Sequence, residues 1–197
     1  MTIPVLDAKI AEVASRVLMA ASARVSSPFS LQMQVQDWGG RAWAYDITLT
    51  PAMGEDGRRI SMFFDALSGS LGVFLLADPS IVQSVGGSPV VKGAGQSGST
   101  LEIEGLTPSE PAFKAGDFFS LGTGMTTRLY RVTADVAADA SGEGAVPIIP
   151  PLRASPENGD ALEVAAPKVL LRLRGPVPTS IAPAMIHRFS FSAMEAI

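Results

Sequence analysis

The chain has 197 residues, enough for one large domain or for a domain carrying a sizeable insertion. A net charge of −4 and a pI near 5.0 offer nothing to a phosphate backbone, so no nucleic-acid binding is expected, and the absence of cysteine excludes disulfides and thiolate metal sites. Charged residues make up only 17% of the chain and the mean hydropathy is +0.28, so burial of some surface between subunits is expected.

No apolar run reaches membrane-spanning length, and no membrane insertion is expected. Val17 to Ala21, followed by Ser22-Ala23, imitates the end of a signal peptide. The apolar stretch is too short, and Asp7 and Glu12 spoil a basic leader, so the segment reads as structural and the product as cytoplasmic. Ile10, Val13, Ala14, Val17, Leu18 and Ala21 would share a helical face, while Val13, Val17, Met19, Ala21 and Val25 would share a strand face. Alanine content favours the helix on propensity. Pro28 forces Ser27 out of the α region and sets a break.

From Arg41 to Thr48 the chain alternates, with Trp43, Tyr45 and Ile47 on one face and Ala42, Ala44, Asp46 and Thr48 on the other. This predicts a half-buried strand. Gly39-Gly40 reads as a tight turn, which makes Leu31 to Val35 its antiparallel partner. After Pro51 the period changes: Ile60, Phe63, Phe64 and Leu67 are spaced as the apolar stripe of a helix over about 56–68, with Asp56 able to cap its start and Gly69 its end. Leu71 to Leu76 is a short apolar run of strand length. The candidate core of this first part is Trp43, Tyr45, Ile60, Phe63, Phe64 and Leu67.

Beyond Pro79, short strands are expected at Thr100 to Glu104, Phe118 to Leu121, Leu129 to Ala134, Ala145 to Ile149 and Ala161 to Val164, separated by Gly-rich turns. They suggest a small β-barrel or sandwich, inserted at 87–165 into a domain made of 1–86 plus 166–197. Val169 to Arg174 and Arg188 to Ala193 would return to the first sheet, and Pro176, Pro178 and Pro183 would keep their connection irregular. The fold class is mainly β with one short helix.

No residue constellation argues for catalysis, a cofactor or a metal. Gly93-Ala-Gly95-Gln-Ser-Gly98 matches a dinucleotide fingerprint, but a strand pattern follows where the phosphate-binding helix is required. Asp135, Asp139, Ser141 and Glu143 lack the ligand spacing of a calcium loop, and Asp139-Ala-Ser141-Gly142 is ordinary hairpin chemistry. His187, the lone histidine, has no nucleophile elbow to serve and reads as a surface or strand-edge residue. No carboxylate pair stands out, because every Asp and Glu fits a turn or an exposed strand face. Trp43 reads as core and Trp38 as exposed.

The run SPFSLQMQVQDWGGRAWAYDITLTPAM, the helix ending FFDALSGSLGVFLLADP, and then VKGAGQSGSTLEIEGL, FKAGDFFSLG, RLYRVTADVAADASG, PPLRASPENGDAL and FSFSAMEAI resemble the distal tail proteins of tailed bacteriophages. The resemblance covers Ser27 onward and lies in order and spacing, not in catalytic residues. It implies an extended N-terminal segment, which favours a strand near 13–25. It implies a tail-tube-like β-sandwich that forms a ring, expected as a homohexamer, joining the tail tube protein to the baseplate hub protein of the virion, with the tape-measure protein a further candidate partner. The insertion would project outward toward tail parts or host glycans. A tail-tube or tail-terminator subunit, and a carbohydrate-binding β-module, are the alternative readings.

Overall fold

The structure is a computed structural model and describes every residue except 1, 2, 8, 183 and 184. The chain is mainly β, with 52% strand and 9% helix, in antiparallel sheets that include a curled half-barrel. Strand β1 (Ile10–Ser26) pairs along its length with β2 (Met33–Leu49). The ambiguous N-terminal segment is therefore strand. The pairing register overrides its alanine content, as tertiary context does to propensity.

The hairpin turn lies at residues 27–32, not at Gly39-Gly40. This corrects the expected pairing of Leu31 to Val35 with the alternating strand. β2 runs straight through the glycines, and they form a bulge: Ala20 faces Arg41 and Ser22 faces Asp37, which leaves three residues of β2 opposite one of β1. Gly39 has φ +76°, the left-handed value such a bulge demands. Asp37 closes it by accepting from the Gly39 amide at 2.9 Å and pairing with Arg41.

After the short strand β3 (Ala52–Met53) comes α1 (Gly54–Ala66), the one α-helix among the described residues. Asp56 does not cap it. The N-cap position is Met53, without a side-chain bond, and Asp56 lies exposed in the first turn, where its charge faces the positive end of the helix dipole. Beyond the C-cap Leu67, Ser68 and Gly69 both take positive φ and end the helix. β4 (Phe74–Ala77) is the strand expected in the Leu71 to Leu76 run, starting three residues later.

The middle of the chain forms β5 (Gly87–Val91), β6 (Gly98–Leu106), β7 (Pro111–Phe113), β8 (Phe118–Leu121), β9 (Arg128–Val132), β10 (Val136–Ala137) and β11 (Gly144–Leu152). Five of these make a sheet in the order β5-β6-β11-β9-β8, and β7 pairs with β10. Ala161 and Glu163 make only isolated bridges, where a strand was expected. β12 (Lys168–Leu173) and β14 (Ile186–Glu195) return to the first sheet, as the sequence indicates, giving the order β1-β2-β14-β12-β4. The proline-bearing connection between them contains a further strand, β13 (Thr179–Ala182), paired with β14; Pro183 lies outside the described residues.

The first core fills the space between this sheet and α1. Phe64 meets Phe63, Phe189 and Phe191 at ring-centroid distances of 5.0–5.9 Å, and Phe63 meets Phe74 edge-on at 5.8 Å. A second core, built on Leu101, Ile103, Phe113, Phe119, Tyr130 and Val146, fills the middle sheet. The two cores share a wall. β8 is buried at all four positions, with Phe118 packed in the first core and Phe119 in the second. Leu129 and Tyr130 of β9 divide in the same way. The first core thus calls on the middle strands through Phe118 and Leu129.

Two substitutions test this packing. Phe64→Ala removes the ring on which three other phenylalanines converge, and a loss of about 3–5 kcal/mol is expected in chemical denaturation. Gly57→Ala should also destabilise, although alanine is the better helix former by about 1 kcal/mol. A Cβ at Gly57 would fall 2.9 Å from the His187 Cβ and closer still to its ring, so α1 must move off β14. A raised thermal midpoint for Gly57→Ala would refute that contact.

Candidate assembly surface

β14 pairs with β2 only from Ala44 to Thr48. Past that point β1 and β2 leave the sheet together as a two-stranded arm. From Ala20 to Gly40 every residue but the half-buried Ser27 is exposed, on both faces of the ribbon. Phe29 is 98% exposed, Leu31 83% and Trp38 69%, and Val25, Met33 and Val35 are open to a similar degree. Only Arg24 and Asp37 carry charge in this stretch. Each strand of the arm extends roughly 20 Å at the usual rise per residue. Among the described residues β2 is the one strand that pairs with β1, which leaves the outer edge of β1 open. A nearly uncharged ribbon, exposed on both faces, rich in large apolar side chains and with an open edge, is the kind of surface that monomeric proteins avoid.

The base of the arm is gripped from the middle sheet. The Trp43 indole donates to the Leu129 carbonyl at 3.0 Å and meets Phe118 edge-on at 5.6 Å. Arg16, opposite Tyr45 in the ladder, lies over the Phe118 ring at 4.2 Å and pairs with the buried Asp78 at 2.5 Å. Arg153, just beyond β11, donates to the Arg41 carbonyl at 2.6 Å and to Glu195 at 2.8 Å. Glu195 is 2% exposed and also accepts from the Trp43 amide at 3.1 Å. Burial raises the Tyr45 phenol far above its ordinary value, with the Asp78 charge adding to it, and burial raises the Tyr130 phenol too.

On the sheet face turned away from α1, Asp46 accepts from Ser15 at 2.6 Å and from Ser192 at 2.5 Å, and Thr48 and Ser190 hydroxyls meet at 3.1 Å. The two serine bonds, Ser15 first, hold the Asp46 carboxyl below its usual range. The opposite face of β2 is the core face.

The expected core residues take these places: Trp43, Tyr45, Phe64 and Leu67 are buried, and Ile60 and Phe63 are half-buried against them. Trp38 is exposed, as read. His187 is not at a surface or a strand edge. It is 6% exposed on β14, paired with β13 on one side and β3 on the other, stacked on Phe189 and covered by α1 at Gly57. Glu195 likewise departs from the reading of every carboxylate as turn or exposed strand face, lying inside with Arg153; Asp78 does sit at a turn, accepting from the Ser80 amide at 2.9 Å, but is buried there with Arg16. In the sequence both occur next to apolar runs, and nothing local marks their distant partners. The Gly93 to Gly98 turn leads into β6, a strand, and Gln96 pins it through bonds to the Lys92 carbonyl and the Glu102 backbone. Asp139 binds the amides of Ser141 and Glu143, the hairpin role expected of it. Among the described residues no group of His, Cys, Asp and Glu is arranged to hold a metal ion.

No family model matches the chain, and no curated protein matches it.

The Asp46 bonds give a pH prediction. A carboxyl whose folded pKa is depressed contributes stability that is present above its unfolded value and lost as pH falls toward the folded one. The thermal midpoint should therefore drop as pH is lowered from about 5 to about 3, across the ordinary carboxylate range. Asp46→Asn should make that slope shallower. An identical slope in the variant would remove Asp46 from the account.

Proposed function

We propose that this protein is a structural subunit that self-associates into a ring, in the manner of the phage distal tail proteins its sequence resembles. The apolar arm carries the reading. It is a long, nearly uncharged ribbon with both faces exposed, and apolar cover from a neighbouring subunit relieves that exposure. The low overall charge supports the same view. In such a ring the work is done by buried interface and symmetry, not by catalysis, and no cofactor is called for. The proposed setting is the phage tail tip, with six subunits joining the tail tube protein above to the baseplate hub protein below, and with the tape-measure protein as a further neighbour. The chain would be made in the host cytoplasm and function in the virion. The middle sheet, carried beside the first, would face other tail parts or host glycans.

Native mass spectrometry of the purified chain and of intact tails tests the proposal. A ring-sized oligomer in either supports it, and a monomer in both overturns it. The combined change Phe29→Ser, Leu31→Ser and Trp38→Ser should weaken self-association by at least about tenfold, since interface anchors each contribute on the order of 1–2 kcal/mol. The three side chains are exposed, so the thermal midpoint should stay where it is.

A further inference from the structure

We propose that the middle sheet is a clamp that fixes the direction of the β1–β2 arm, so that assembly through the arm depends on contacts made by residues outside it. The assembly half of this rests on the proposed function; the clamp does not.

A free two-stranded ribbon is marginally stable and twists readily. Past Ala44 this ribbon loses its sheet neighbour β14. The contacts at its base that come from the middle of the chain fall on both strands, from the Arg16–Tyr45 pair, where β14 still lies alongside, to Arg41. On β2, Trp43 is held by the Leu129 carbonyl and the edge of Phe118, and the Arg41 carbonyl by Arg153. On β1, Arg16 stacks on the same Phe118, whose other close cation is Arg131 at 5.4 Å. Phe118 itself is fixed at its backbone by Gln83, whose side chain accepts from the Phe118 amide at 2.8 Å and donates to the Phe118 and Val164 carbonyls. Arg153 adds direction, because one guanidinium nitrogen bonds the arm at Arg41 and the sheet at Glu195. Beyond Arg41, among the described residues, the arm's hydrogen bonds run within the arm and its large apolar side chains are exposed. Its angle is therefore set over this short span at its base, by the side chains of Phe118 on β8 and Arg153 just beyond β11. A ligand or neighbour that shifts the middle sheet would swing the arm.

The chain has no native cysteine, which makes a two-label distance measurement direct. Spin labels are placed at Gln32→Cys, on the arm, and Ser141→Cys, on an exposed turn of the middle sheet. The labelled chain is diluted into excess unlabelled chain, so that only distances within one molecule count. The parent should give one narrow distance distribution. R153M combined with E195Q removes both charges together and leaves no unpaired ion inside, and it should broaden the distribution at least twofold. F118L, which keeps the ion pair, should broaden it as well, and it serves alone if the double variant does not fold. A distribution that stays narrow in the folded variants overturns the clamp. In native mass spectrometry the broadened variants should also lose oligomer. Broadening with oligomer retained overturns the dependence of assembly on the clamp. If the Phe29, Leu31 and Trp38 variant still assembles, the arm is not the assembly surface, and the distance measurement still judges the clamp.

Discussion

β14 is the strand on which the first sheet depends. One half of it pairs with β2 and β12, the other with β13 and β3, so it has a strand partner at every position and neighbours on both sides near each end. Its alternate residues His187, Phe189, Phe191, Ala193 and Glu195 all point into the molecule and are buried. Each receives a different element. Gly57 of α1 rests on His187, Phe64 packs on Phe189 and Phe191, Ala193 lies opposite Tyr45, and Glu195 takes the amide of Trp43 and the guanidinium of Arg153. The row grades from aromatic to charged, and that gradation separates the dry core under the helix from the polar seam beside the middle sheet.

The seam joins two cores by means other than apolar contact alone. A buried ion pair adds little net stability over an apolar replacement, but removing one partner is costly, because the other is left without compensation. Arg153–Glu195 and Arg16–Asp78 are both of this kind. Such pairs favour one relative placement of the two sheets over a range of slippery ones. Among the described residues Arg153 Nη1 and Glu195 Oε1 are buried in this region without a hydrogen-bond partner.

What could be read from the sequence follows from how local the cause is. The alternation of Trp43, Tyr45 and Ile47 and the stripe of Phe64 and Leu67 depend on neighbours within one element, and the buried faces are those the spacing predicts. β12 and β14 were legible for the same reason. The Gly39-Gly40 bulge was misread as a turn, because glycine permits positive φ in either setting and only the length of β1 decides between them. On β1, register shifts at Ile10/Glu12 and Val13/Ser15 change which residues share a face, so Val13 and Leu18 pack on the core while Val17 and Met19 are exposed. β5, β7, β10 and β13 are short, and three of them hold or adjoin proline, so no period could reveal them. Of the candidate surface, Trp38 was visible as exposed. The arm was not, because exposure on both faces is a property of what fails to pack there.

The connectivity of the first sheet orders events during synthesis. Thr48 pairs with Ser190, and Ile47 with Phe191, so the ladder between β2 and β14 closes a loop of more than 140 residues. β14 is made after every strand it joins. Until it emerges, the hairpin and α1 have no central strand to pack on, and their apolar faces wait in solvent. The middle sheet closes much shorter loops, as between β8 and β9 or β5 and β6, and can form while the rest is incomplete. The wall that carries Phe118 can therefore form before the sheet that carries the arm is finished, while the Arg153–Glu195 contact waits for β14, and the exposed hairpin can dock on that wall.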